Sequence, residues 1–237
     1  VLRDFNNYLG NAYLNFGKPL DLEEFLIENV SEDFHIDSPL DRPDWLQPTT
    51  SLLGDEIIKS INNSVAISST SLFAISLLTD PTQALNKETL KARISFYLTL
   101  LSKSDRYKDA WLTKKDPEEI VDRSEKLRFI KHQLIGSDEV YRPTPTEVAT
   151  LSFYKNNISH IFMLYSLICE SVRYIEKISK KDMHALIKMV YPIISREYFL
   201  QSSQIEGKEI ENTLRTLLDE GVLHSKEPET YSKPDNN

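Results

Sequence analysis

Five histidines, at positions 35, 132, 160, 184 and 224, and the single Cys169 are the side chains in this sequence best suited to acid–base, nucleophilic or metal chemistry. No two histidines are four positions apart, so the helical spacing that lets two imidazoles share a zinc ion does not occur. A histidine base oriented by an aspartate five positions on is a second arrangement with clear chemistry. The residues five positions after the histidines are Leu40, Ser137, Tyr165, Met189 and Glu229, and none is an aspartate. His224 and Glu229 come nearest, but they lie in a polar tail. There is no Gly-x-Ser-x-Gly elbow, no phosphate loop and no Gly-x-Gly-x-x-Gly. Cys169 ends an apolar run, which suits a small core residue better than a nucleophile. One thiol forms no internal disulfide, consistent with a reducing compartment. On this reading the sequence assigns no catalytic residue, no metal ligand and no cofactor.

Two polar groupings remain. Asn156 and His160 are one helical turn apart and share a face. They read either as a contact towards another domain or as a satisfied buried pair. Arg173, Lys177, Lys180, Lys181, Lys188 and Arg196 outnumber Glu176 and Asp182 between 173 and 196. That stretch reads either as a solvated face or as a contact with an anionic membrane surface. The net charge is −8, and residues 1–60 account for all of it with 12 acidic and 4 basic side chains. The rest of the chain balances, which excludes a broad phosphate-backbone binder, so no nucleic-acid partner is expected.

The elements that would carry these groups are mostly helical. With 237 residues and only 6 glycines, the chain can bury a sizeable core but has few tight turns. Residues 11–20 predict a strand ended by Gly17 and Pro19. Asp21 caps a helix over 22–30, and 31–48 reads as a loop. Helices are expected over 49–79, over 87–103 with Asn86 as cap, and over 117–131 with Asp116, Pro117 and Glu119 forming a capping box. Residues 134–141 read as a short strand or extended link. A helix over 147–175, capped by Thr146, is apolar nearly all round between 158 and 169, which marks a central core helix. At 12 residues with Ser159, His160 and Ser166 inside, that run is too short to span a membrane. A helix capped by Ser179 should kink or end near Tyr191, before Pro192. The last helix, over 206–220, stops at Gly221 in a Schellman turn. Residues 222–225 could pair with Tyr231, while the tail after Glu227 should fray.

Whole phrases of the sequence resemble one family. Phe153-Tyr154-Lys155-Asn156-Asn157-Ile158-Ser159-His160 is similar to the Tyr-Tyr-Arg-Asn-Asn-Ile-x-His phrase of bacterial membrane-bound glycerol-3-phosphate acyltransferases. Residues 164–168 resemble their Leu-Pro-Ser-Leu run, with Tyr165 where proline is expected. Val190-Tyr191-Pro192, then Glu197 and Phe199-Leu200, resemble their Leu-Tyr-Pro…Glu-Leu-Phe-Leu phrase. Tyr13-Leu14-Asn15-Phe16-Gly17-Lys18-Pro19 resembles their Tyr-Val-Asn-Phe-Gly-x-Pro segment. Pro43-Asp44-Trp45-Leu46 and Ile61-Asn62-Asn63 have counterparts too. The matches keep the family's order from about 8 to 224.

In that family the catalytic His-x-x-x-x-Asp and the glycerol-phosphate-binding blocks precede the Asn-Phe-Gly phrase. The resemblance therefore implies a C-terminal accessory region, inactive alone, of an enzyme that moves an acyl group from acyl-CoA or acyl-carrier protein to glycerol 3-phosphate. The absence of Met at Val1 fits a piece of a longer protein. The implied fold is mainly α: a multi-helix C-terminal domain over 31–237, with 1–30 as the tail end of an α/β catalytic domain and its short strand. The implied partner is that N-terminal catalytic domain, and the implied location is peripheral, at the cytoplasmic face of the inner membrane. Asn15, Phe16, Gly17, Tyr154, Lys155, Asn156, Asn157 and His160 are the family-phrase positions, with no role assigned to any of them. The alternative is a winged-helix-like interaction module without catalysis, built from the last three helices and the terminal hairpin.

Overall fold

The computed structural model describes residues 13–30, 42–104, 107, 110–135, 138–200, 204–227 and 229–234. The fold is mainly α, with short strands only. The expected strand over 11–20 is a correction. Positions 11 and 12 lie outside the described residues, and 13–20 form no strand. The segment instead lies as irregular chain along a helix, because β-prone residues need a ladder partner and none lies beside it among the described residues.

Local capping explains most helix starts. Helix α1 (Leu22–Asn29) begins at Asp21, whose carboxylate accepts from the Glu23 and Glu24 N–H groups. Helix α2 (Leu46–Asn63) carries Pro48 in its first turn, where a missing N–H costs nothing, so the loop read over 31–48 ends early. The single helix expected over 49–79 is two. Ser64 stops α2, strand β1 (Ala66–Ile67) follows, and the Ser68 side chain caps α3 (Ser69–Leu78). Helix α4 (Lys87–Ser102) starts at Asn86, and α5 (Pro117–Lys126) starts in the predicted capping box. Strand β2 (Trp111–Leu112) pairs in parallel with β1. The link near 134–141 is a hairpin of β3 (Lys131–Ile135) and β4 (Asp138–Arg142).

Thr144, rather than Thr146, caps α6 (Pro145–Ser159), because Pro145 suits the first helical position and the Glu147 carboxylate reaches back to the Thr144 N–H at 3.1 Å. The predicted helix then breaks. A 3₁₀ turn (His160–Phe162) separates α6 from α7 (Met163–Ile175). This break explains the all-round apolar run. Ile158, Ile161 and Phe162 enter a first core built on α3, α4 and α5, whereas Leu164, Ile168 and Val172 enter a second core. The helix enclosed on all sides is α3, with Leu72, Phe73, Ala74 and Leu77 fully buried.

The second core lies among α7, strand β5 (Lys177–Ser179), α8 (Lys180–Glu197), α9 (Gly207–Asp219), β6 (His224–Glu227) and β7 (Thr230–Ser232). Ser179 caps α8 by accepting from the Asp182 N–H, as its spacing predicts. Contrary to the expected kink or stop, α8 runs through Pro192. Pro192 sits on the exposed face, where water can reach the Lys188 carbonyl left without its donor. Gly221, at φ +69, closes α9: its N–H bonds the Leu218 carbonyl and the Val222 N–H bonds the Leu217 carbonyl, the full Schellman pattern. The fraying expected after Glu227 is a correction for the described residues 229–234. β7 is the middle strand of the sheet order β5-β7-β6, and Tyr231 is buried. The order α7–β5–α8–α9–β6–β7 is that of a winged helix.

Candidate functional site

The family-like phrases, far apart in sequence, line one surface groove of about 930 Å³. One wall is the C-terminal half of α2, with Ile57, Ile58, Ile61 and Asn62, followed by Ser64. The segment 13–20 lies along it, contributing Asn15 and Gly17. The far wall is the end of α6, with Tyr154, Asn156, Asn157 and His160, and the end of α8, with Glu197, Tyr198 and Phe199.

Side-chain-to-backbone hydrogen bonds bind these walls together. The Asn15 amide donates to the Ser64 carbonyl at 2.9 Å. The Asn62 amide donates to the carbonyls of Tyr198 at 2.8 Å and Phe199 at 3.2 Å. The Asn62 carbonyl lies 3.2 Å from His160 Nε2. A carbonyl only accepts, so Nε2 carries the proton there. That nitrogen is a strut, not a base waiting for a proton. Gly17 packs closely on Ser64: a Cβ there would meet Ser64 Cβ at 3.4 Å and would turn the Ser64 hydroxyl aside. Tyr13 holds the same segment from the other side, with its ring 4.6 Å from that of Trp111.

Phe199 carries a conformational anomaly. It follows the α8 cap at φ +48, and the Leu200 N–H bonds the Ser195 carbonyl. This is the Schellman position that glycine fills at Gly221, and an L-residue there costs roughly 1–2 kcal/mol. The Phe199 ring lines the groove and is partly exposed.

The groove is apolar at its rim. Leu14 is 81% exposed, and Leu20, Ile57 and Ile61 are also exposed. Among the described residues no three His, Cys, Asp or Glu side chains come together as a metal site. Burial, with the Glu170 charge, pushes the Cys169 thiol up to about 11, as expected for an inert core sulfur.

The sequence reading gathers most of this site and misses part of it. Asn15, Gly17, Tyr154, Asn156, Asn157 and His160 meet in the groove, whereas Phe16 and Lys155 do not line it. Asn156 and His160 are not a buried pair: His160 is buried and bonded to Asn62, and Asn156 is exposed. Asn62 ties α2 to the ends of α6 and α8, and in the sequence only the Ile61-Asn62-Asn63 phrase marks it. Ser64 gave no signal, because its contribution is a backbone carbonyl. Of the basic stretch, Arg173 pairs with Glu170 and Lys180 with Glu211.

The family described as glycerol-3-phosphate acyltransferase C-terminal region matches residues 1–237. The glycerol-3-phosphate acyltransferase of Alteromonas mediterranea is 31% identical over 234 residues, covering 97% of this chain and 28% of the relative. That of Shewanella frigidimarina is 29% identical over 227 residues, covering 94% of this chain and 28% of the relative. That of Pseudomonas aeruginosa is 28% identical over 227 residues, covering 95% and 27%. The chain thus spans little more than a quarter of the length of these curated relatives.

Proposed function

The chain belongs to the family of glycerol-3-phosphate acyltransferase C-terminal regions, and from that premise we propose that its groove is the seat for the catalytic portion of such an enzyme. The whole enzyme transfers an acyl group from acyl-CoA or acyl-carrier protein to the sn-1 hydroxyl of glycerol 3-phosphate, with a His-x-x-x-x-Asp pair supplied by that catalytic portion. Residues 1–30 go with the catalytic portion, and 31–237 form the helical accessory domain. The enzyme works as a peripheral protein at the cytoplasmic face of the inner membrane; among the described residues no helix is long and apolar enough to cross one.

One observation carries this reading. Phrases beginning at Tyr13, Ile61, Phe153 and Val190 each contribute to one groove with an exposed apolar rim. Apolar side chains left in water across a contiguous surface mark an interaction site, and about seven-tenths of the length of the relatives lies outside the matched region.

The winged-helix topology gives a second reading, that of an interaction module. Helix α9, which would enter a nucleic-acid groove, has Ile210, Thr213, Leu214, Thr216 and Leu217 buried. Its end is tied to α4 by the Lys103–Glu220 pair at 2.6 Å. With that face buried and acidic side chains in excess, it is poorly suited to reading a duplex. The shape therefore serves packing between protein elements, which agrees with an accessory domain.

Purified chain incubated with acyl-CoA and glycerol 3-phosphate should yield lysophosphatidate only at the level of a protein-free control. Product above that control overturns the assignment of the chemistry to the catalytic portion.

A further inference from the structure

We propose that the outer face of α8 is a contact surface for an anionic lipid bilayer. The inference deepens the peripheral-membrane reading above and rests on it. On its inner face α8 buries Met183, Ile187, Tyr191 and Ser195. A surface helix is expected to turn a polar face outwards. This one exposes Ala185, Met189, Pro192 and Ile193, with Met189 at 68% and Ile193 at 70%.

Lys181, Lys188 and Arg196 are interleaved with these apolar residues, within an arc of about 140° at 100° per residue. All three are exposed and have no acidic partner among the described residues. No acidic residue occurs in α8 between Asp182 and Glu197. Asp182 belongs to the cap, its carboxylate accepting from Ser179 Oγ at 2.6 Å.

Apolar side chains ringed by Lys and Arg on one helix face are what a bilayer interface selects: the apolar groups enter between headgroups and the cations meet phosphates. Whole-molecule charge strengthens the case. At a net −8 the protein is repelled by an anionic surface in most orientations, so the exposed cations of α8 orient it. The helix lies on the surface and does not enter it deeply. Its C-terminal end, at Glu197, Tyr198 and Phe199, is a wall of the groove. A catalytic portion seated in that groove would be held beside the lipid.

The test is flotation of the full chain with phosphatidylglycerol-rich vesicles and with pure phosphatidylcholine vesicles, at low and high salt. Binding to the anionic vesicles alone, released by salt, is expected. Each cation near such a surface is worth about fivefold in partition, so the Lys181→Gln, Lys188→Gln, Arg196→Gln triple variant should bind on the order of 100-fold more weakly. Met189→Ser with Ile193→Ser should weaken binding at every salt concentration. All five side chains are exposed, so the urea midpoints should stay at that of the parent, and the loss then reports on the surface itself. No binding at low salt, undiminished binding by the triple variant, or binding of an acidic protein in preference to the vesicles overturns the inference. Acylation by an enzyme carrying the groove is read separately, so failure on vesicles leaves the C-terminal-region reading standing.

Discussion

Replacing Phe162 by alanine is expected to destabilise the chain by about 3–5 kcal/mol, the range for a buried phenylalanine. Phe162 is 4% exposed and sits in the 3₁₀ turn where α6 passes into α7. Its ring meets Tyr97 edge-on, with centroids 4.8 Å apart. The turn exists because the residues before it pack into one core and those after it into the other. A cavity there loosens the join as well as the first core. A chain of this size has about 5–15 kcal/mol to lose, so the urea midpoint should fall steeply. Phe153→Ala is the control: that ring is 65% exposed, and its removal should move stability by no more than about 0.5 kcal/mol. Equal midpoints for Phe162→Ala and the parent would contradict the packing described here.

Asn62→Leu is expected to cost about 1–3 kcal/mol, the penalty for leaving partly buried carbonyls without donors. One amide serves both Tyr198 and Phe199, and the Asn62 carbonyl receives His160. Leucine keeps the volume and removes the donor. Phe199, held at φ +48, then loses a bond that pins it, and the end of α8 is free to relax away from α2. Function should suffer beyond stability: an acyltransferase carrying this variant should lose activity at temperatures where the fold persists. Urea denaturation alongside the acylation rate checks both. A variant as stable and as active as the parent would remove Asn62 from the account.

The sequence discloses what is local. The caps at Asp21, Asn86, Asp116 and Ser179 and the Gly221 stop are decided by residues within a turn of one another, and all appear where the spacing puts them. Pairings across distance were not legible. β5 finds β7 some fifty residues on, and nothing in Lys177-Ile178-Ser179 alone reads as a strand. The break at His160 was hidden, because a helix feeding two cores and a helix inside one core have the same all-round apolar pattern. Pro192 misled because its cost depends on which face it occupies, which α8 shows only once Tyr191 is buried. The phrases of the groove were readable one by one. Their meeting was not, since the bonds join side chains to backbone carbonyls 49, 98 and 136 positions away.

The most direct test puts this chain where the account says it works. The Alteromonas mediterranea relative would be made with residues 1–237 of this protein in place of its matching segment, beside a version with that segment deleted. The chimera is predicted to form lysophosphatidate from acyl-CoA and glycerol 3-phosphate, and the deletion to form none. A folded chimera no more active than the deletion, or a deletion that keeps the full rate, would contradict the claim that this region seats and supports the catalytic portion.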